Sequence, residues 1–221
     1  MTTPSPHHHT VSGDQPGPGE EYIGGAGTQN PTPPRQAATV ILLRGGDQSL
    51  ELLLVKRTPH ARFMGGVWVF PGGAVEQAEG EDDRAHRAAA VRELHEEAGV
   101  ELPHTDELVK FSRWITPAEV RTRFDTHFFL APLPPGQEPQ VDGEECVELG
   151  WFTPAGALDA HSAGEILLVF PTIKHLEQLA PFPTAAALLE HARGRSVQAV
   201  QPRVFFDGEV ARVLLPGEPG Y

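Results

Sequence analysis

Gly72 to Val100 reads GGAVEQAEGEDDRAHRAAAVRELHEEAGV, and its last third decides the fold. Glu93, Glu96 and Glu97 stand beside Arg92, and at the 3.6-residue helical period the three carboxylates share one face. Val91, Leu94 and Ala98 fall opposite, so the apolar stripe can enter a core while the acids point outward. Like charges at this spacing repel one another. A hard cation relieves that repulsion, and an all-oxygen, carboxylate-rich set suits Mg²⁺, with Mn²⁺ as its substitute. Asp82 or Asp83 supplies the helix cap and complements the dipole, and Gly99 ends the helix.

The block resembles the signature of the Nudix hydrolases: Gly, five residues, Glu, seven residues, then Arg-Glu-aliphatic-x-Glu-Glu-x-Gly-aliphatic. Arg92, Glu93, Leu94, Glu96, Glu97, Gly99 and Val100 match its second half, and Gly73 and Glu79 its first. Twelve residues separate Glu79 from Arg92 where the pattern has seven, which reads as a five-residue insertion in the loop before the helix, at Gly80 to Arg84. The resemblance covers about residues 37 to 152. It implies an α/β/α sandwich around a mixed sheet, and hydrolysis of a nucleoside diphosphate linked to another group by attack of water on phosphorus. It further implies that Glu93, Glu96 and Glu97 hold the cations with help from the main-chain carbonyl of Gly73. Arg92 would pair with a neighbouring carboxylate and fix its rotamer. The general base stays open between Glu96 or Glu93 and an acid of the loop before Trp151, Glu145 or Glu144.

Upstream stand Leu53-Leu54-Val55-Lys56-Arg57-Thr58, then Arg62, Gly66 and Phe70-Pro71-Gly72-Gly73. This is similar to the signature of the coenzyme A diphosphatase branch, with every interval kept and two residue types changed: Val55 for Thr, and Thr58 for Ser or Ala. Substrate contacts are thereby expected at Arg57, Arg62, Gly72 and Gly73. The two arginines offer bidentate donors suited to the 3′-phosphate that distinguishes coenzyme A from ordinary dinucleotides; salt bridges to surface acids are the plainer use of them. Other substrates stay in view, namely ADP-ribose, a dinucleoside polyphosphate or an oxidised nucleotide, as does a non-catalytic nucleotide-sensing module.

Composition bounds the rest. A chain of 221 residues suits one domain with appendages. A net charge of −13 disfavours binding to nucleic-acid polymers or anionic membranes, which need a basic footprint, and leaves a small nucleotide as partner. Cys146 is the single cysteine, so no intrachain disulfide or Cys₄ zinc site can form, and a buried inert thiol is expected. No apolar run reaches membrane-span length and the N-terminus lacks signal-peptide character, so the expected location is the cytoplasm. Residues 1–36 hold seven prolines and six glycines with few bulky apolar side chains, and read as a disordered tail. His7-His8-His9 in that tail is read as an incidental run.

From residue 37 the pattern turns regular. Strands are expected at Ala38 to Leu43, Leu50 to Val55, Val67 to Phe70, Leu108 to Ile115, Arg123 to Leu130 and Val147 to Phe152. Thr153 caps a short helix. The Nudix-like domain is drawn at 37–163, followed by an extension at 164–221 packed on it, with helical periodicity at Thr172 to Leu179 and Thr184 to Arg193 and a hairpin about Asp207-Gly208. Covering core surface is the plain role for that extension; shaping the substrate pocket or forming a homodimer contact are the others. No internal repeat is visible.

Overall fold

The computed structural model describes residues 31–61, 64–80, 82–207 and 210–221. The His7-His9 run, Arg62 and Gly208 lie outside the described residues. Two compact units form among the described residues, the larger from Gln36–Arg113 and Thr126–Gln198, the smaller from Trp114–Asp125, Ala199–Tyr221 and residues 31–35.

In the larger unit, β1 (Arg35–Arg44), β2 (Glu51–Arg57), β3 (Trp68–Val69), β4 (Gly72–Ala74), β5 (Val109–Ile115), β6 (Phe124–Pro132) and β7 (Cys146–Phe152) build the sheet. β1 begins two residues before the boundary drawn at 37. The path runs β3-β2-β1-β6-β5, with β4 added to β1 and β7 to β2. β1 pairs with β2 only near its end, at Leu43↔Leu52 and Arg44↔Glu51. Its other half takes β4 instead, at Ala38↔Gly73 and Thr39↔Gly72. β2 parts from β1 and follows β7 from Leu52↔Phe152 to Arg57↔Cys146, with an irregularity between Lys56 and Arg57. That splay brings the glycine turn, the end of β2 and the start of β7 toward one place.

Apolar runs in these strands are buried on both faces, as a sheet between helical layers requires. Ala38, Val40, Leu42, Leu53, Val55, Phe129 and Ala131 pack with Ala89, Ala90, Leu94 and Ala98 of α1 (Asp83–Ala98). The alternate positions Ile41, Leu43, Leu52, Leu54 and Leu130 are buried as well. On that second face His175 of α3 (Phe170–Leu179) meets Phe128, ring centroids 4.1 Å apart. α2 (Pro154–Ser162) starts at Thr153, whose hydroxyl accepts from Gly156 N–H at 3.0 Å; Thr184 caps α4 (Ala185–Ala192) in the same way. The fold is therefore the expected mixed α/β arrangement, with four α-helices among the described residues.

α1 opens on Asp82, whose carboxylate accepts from Ala85 N–H at 2.9 Å, and closes on Gly99 in the left-handed region at φ 65°. Asp83 and Arg84, assigned to an inserted loop by spacing, are the first residues of the helix. Part of the insertion is thus helical, because Asp82 is the stronger cap and Asp83 is held by Arg87 at 2.7 Å and Lys110 at 2.9 Å. Burial disfavours the Asp83 anion, yet those two cations hold its carboxyl down at about 2.

The smaller unit contains β8 (Ala199–Val200) and the antiparallel pair β9 (Arg203–Asp207) and β10 (Val210–Leu214), in register Asp207↔Val210. Within it the Arg203 guanidinium lies over the rings of Phe205 and Tyr221, at 5.3 and 5.7 Å. Among the described residues no helix is long and apolar enough to cross a membrane.

Candidate active site

The helical projection sends all three box acids to solvent, but the structure separates them. Glu97 is buried at 2 % exposure, Glu93 is largely covered, and Glu96 stays outside with its side chain 55 % exposed. Glu97 enters the protein because β4 supplies a donor there: the Gly72 N–H gives a 2.9 Å hydrogen bond to Oε2. Arg57, at the end of β2, places Nη1 3.6 Å from Oε1. Burial pushes the Glu97 carboxyl up to about 7; the Gly72 hydrogen bond and Arg57 pull the other way, and the charges of Glu93 and Glu145 push further.

Glu93 rests against the glycine turn. A Cβ at Gly73 would overlap its carboxyl group, so the lack of a side chain here leaves room for the Glu93 carboxylate rather than serving a backbone angle. Burial also raises the Glu93 carboxyl, Arg92 opposes that, and Glu96 and Glu145 reinforce it. Arg92 gathers its neighbours: Nη1 donates to Glu93 at 2.7 Å and to Glu96 at 2.9 Å, Nη2 donates to the Ala74 carbonyl at 3.0 Å, and Nε donates to Glu79 at 3.1 Å. Glu79 thus reaches Arg92 in spite of the longer spacing. The guanidinium is itself stabilised as the cation: burial works against it, and the carboxylates overcome that.

Glu145 sits where β7 begins. Asp142 folds that turn by accepting the N–H groups of Glu144, Glu145 and Cys146 at 3.2, 2.8 and 2.9 Å. The Glu145 carbonyl accepts from Thr58 N–H at 2.8 Å, which ties the turn to the end of β2. Cys146, directly after it, is buried as expected; burial pushes its thiol up, and the adjacent Glu97 adds to this. Of the residues singled out by sequence, Arg57, Gly72, Gly73, Glu79, Arg92, Glu93, Glu96, Glu97 and Glu145 converge, while Arg62 lies outside the described residues.

Glu93 and Glu97 form a partly buried carboxylate pair beside a glycine turn shaped to the Glu93 carboxylate, and the charge of exposed Glu145 adds to their repulsion. This set fits a hard divalent cation. In this conformation no three acidic, histidine or cysteine side chains among the described residues are grouped closely enough to hold an ion together. Arg92 accounts for the difference, drawing one oxygen each of Glu93 and Glu96 to itself. The Arg57 to Glu97 pair was invisible in the sequence, because it depends on the register of β2 against β7 and on the burial of a glutamate that periodicity alone assigns to solvent.

A NUDIX domain model matches residues 33–169. Nudix hydrolase 7 of Caenorhabditis elegans is 30 % identical over 181 residues, covering 66 % of this chain and 60 % of that protein, so the match leaves a substantial part of that relative unaccounted for. Acyl-coenzyme A diphosphatase NUDT19 of Homo sapiens is 24 % identical over an alignment covering 85 % of this chain and 80 % of that protein. A NUDIX hydrolase from Alicyclobacillus acidocaldarius superposes with a TM-score of 0.63 at 26 % identity, over 72 % of this chain and 96 % of the other. With more than half its length matched by the domain and the box seated on α1, the chain belongs to the NUDIX family, the Nudix hydrolases.

Proposed function

We propose that this protein hydrolyses the pyrophosphate bond of a nucleoside diphosphate linked to a second moiety, with coenzyme A or an acyl-coenzyme A as substrate and Mg²⁺ or Mn²⁺ as cofactor. The observation that carries the reading is the buried Glu97, hydrogen-bonded by Gly72 and raised further by the charges of Glu93 and Glu145. Such a set is costly by itself and is relieved by a cation. Glu93, Glu96 and Glu97, with the Gly73 carbonyl, would hold that cation, which when bound supplies Lewis acidity toward phosphoryl oxygens.

The chain's own groups do the remaining work. Arg92 restrains Glu93 and Glu96. The charge of exposed Glu145 is felt at both Glu93 and Glu97, which favours it as the base: it takes a proton from water while the water oxygen bonds to phosphorus and the bridging P–O bond breaks, its electron pair leaving with the departing phosphate. Glu145→Gln should then lower kcat roughly 10²- to 10⁴-fold with Mn²⁺ affinity near the parent's; a kcat near the parent's moves the base back to Glu93 or Glu96.

The choice of coenzyme A rests on the motif from Leu53 to Gly73 and is supported by the alignment to the human acyl-coenzyme A diphosphatase. Since Arg57 is engaged at Glu97, it is assigned to the pyrophosphate end and the 3′-phosphate is left to Arg62. The domain bounds of 37–163 with a following extension are part of the same reading, as are a small nucleotide as partner and the homodimer contact open to the extension. The test is a substrate panel that includes coenzyme A, dephospho-coenzyme A, ADP-ribose and a dinucleoside polyphosphate. Coenzyme A should be cut to 3′,5′-ADP and 4′-phosphopantetheine, and the dephospho form handled worse by roughly 1.5–3 kcal/mol, about 10- to 100-fold in kcat/KM. Arg62→Ala should remove that preference. Equal efficiency on the two forms refutes the coenzyme A assignment.

A further inference from the structure

The Arg57 guanidinium is an unusual partner for Glu97. Its Nη1 lies 3.6 Å from Oε1, within ion-pair range but beyond hydrogen-bond length, while its Nε is buried without a hydrogen-bond partner among the described residues. The backbone around it is fixed on both sides: Arg57 N–H donates to the Val67 carbonyl at 3.0 Å, and the Arg57 carbonyl accepts from Gly66 N–H at 3.1 Å. Only the side-chain torsions are left to respond. Arg92, the other guanidinium of the site, directs its contacts to Glu79, Glu93 and Glu96.

We propose that Arg57 is a built-in counter-cation for Glu97, displaced when a divalent ion takes that carboxylate and transferred to a phosphoryl oxygen of the substrate. The inference rests on the reading of Glu97 as a cation ligand given above. Its logic is exclusion: an ion bonded to a carboxylate oxygen at about 2.1 Å would stand within a few ångströms of a guanidinium already beside that oxygen. The two positive groups cannot share the oxygen without an anion between them. A pyrophosphate supplies that anion and gives the orphaned Nε and the Nη groups the planar, two-oxygen partner that arginine favours. Without substrate, Arg57 therefore weakens cation binding. With substrate, it strengthens it, so ion and nucleotide bind cooperatively through one side chain, and by linkage the coupling is reciprocal.

The experiment measures Mn²⁺ affinity of the full chain by electron paramagnetic resonance, alone and with the non-hydrolysable probe α,β-methylene-ADP. Relative to the parent, Arg57→Ala should bind Mn²⁺ alone roughly three- to ten-fold more tightly, and the gain in Mn²⁺ affinity produced by the probe should fall by at least a similar factor. Arg57→Gln, uncharged but able to hydrogen-bond, should move with alanine, and Arg57→Lys should stay near the parent; glutamine decides the matter if the alanine protein fails to fold. Unchanged or weaker Mn²⁺ binding in the uncharged variants, or a probe effect that survives in them, overturns the proposal. Because no turnover is measured, an absence of hydrolysis on every substrate would sink the functional reading while leaving this comparison standing.

Discussion

Arg92 is joined to Glu79 across the loop that precedes α1, with Nε 3.1 Å from Oε1 and Nη2 3.4 Å from Oε2. The pair closes a chain of contacts that runs from the glycine turn through Ala74 to Glu93 and Glu96. Arg92 orients carboxylates from this position. Arg92→Ala should lower kcat roughly 10- to 100-fold, and Arg92→Lys, a single point donor, should recover only part of that. Steady-state kinetics decide the point: a loss confined to KM would make Arg92 a substrate contact instead.

Glu97 makes a harsher demand. It is buried, carries a hydrogen bond from Gly72 and meets Arg57, so Glu97→Gln keeps the shape and removes the charge. The variant should fold with a melting temperature within a few degrees of the cation-free parent, because the neutral amide is cheaper to bury while Arg57 loses its counter-charge. Its loss of turnover should exceed the roughly 100-fold expected of a residue that only orients a ligand. Excess chelator should abolish parent activity and added Mg²⁺ or Mn²⁺ restore it. Turnover that survives chelation would remove the cation from the reaction.

Gly73 separates stability from activity. A methyl group there would meet the end of a flexible glutamate, which can be pushed aside, whereas at Gly72 it would meet the backbone of Ala38 and Thr39. Gly73→Ala should therefore keep most of its urea stability while losing turnover, and Gly72→Ala should lose both. Equal stability losses in the two variants would show that Glu93 cannot yield.

The sequence revealed the frame of this site better than its interior. β1, β2 and β6 were legible because runs buried on both faces leave long apolar stretches, and α1 because an acidic cap at Asp82 or Asp83 and Gly99 bracket it. β3 falls inside the strand expected at Val67 to Phe70, but three-residue β4 carries too little pattern to be placed alone; pairing creates it on the half of β1 that β2 leaves open. The burial of Glu97 was hidden for a similar reason. Helical periodicity sorts residues by polarity, and no local signal announces that a main-chain N–H from a distant turn will meet a carboxylate and draw it inside.

A last consequence lies on the opposite face of the sheet, where His175 of α3 is fully buried. Its Nδ1 lies 2.6 Å from the Pro171 carbonyl, which can only accept, so Nδ1 carries the proton. Nε2 is then the acceptor, and Ser112 Oγ, 2.6 Å away, donates to it. The ring is thereby held neutral among Phe70, Phe111 and Phe128. Burial lowers its pKa from 6.5 to about 4, partly opposed by the Pro171 hydrogen bond. A histidine depressed in this way takes up its proton in the unfolded chain first. The stability it contributes is therefore complete above pH 6.5 and is lost as pH falls toward 4. At about 1.4 kcal/mol per pKa unit, the loss reaches roughly 3 kcal/mol. Urea unfolding from pH 7 to 4 should show the parent weakening more steeply than His175→Gln, whose side chain has no proton to gain. Parallel slopes in the two proteins would mean that the ring is charged, or exposed, in the folded state.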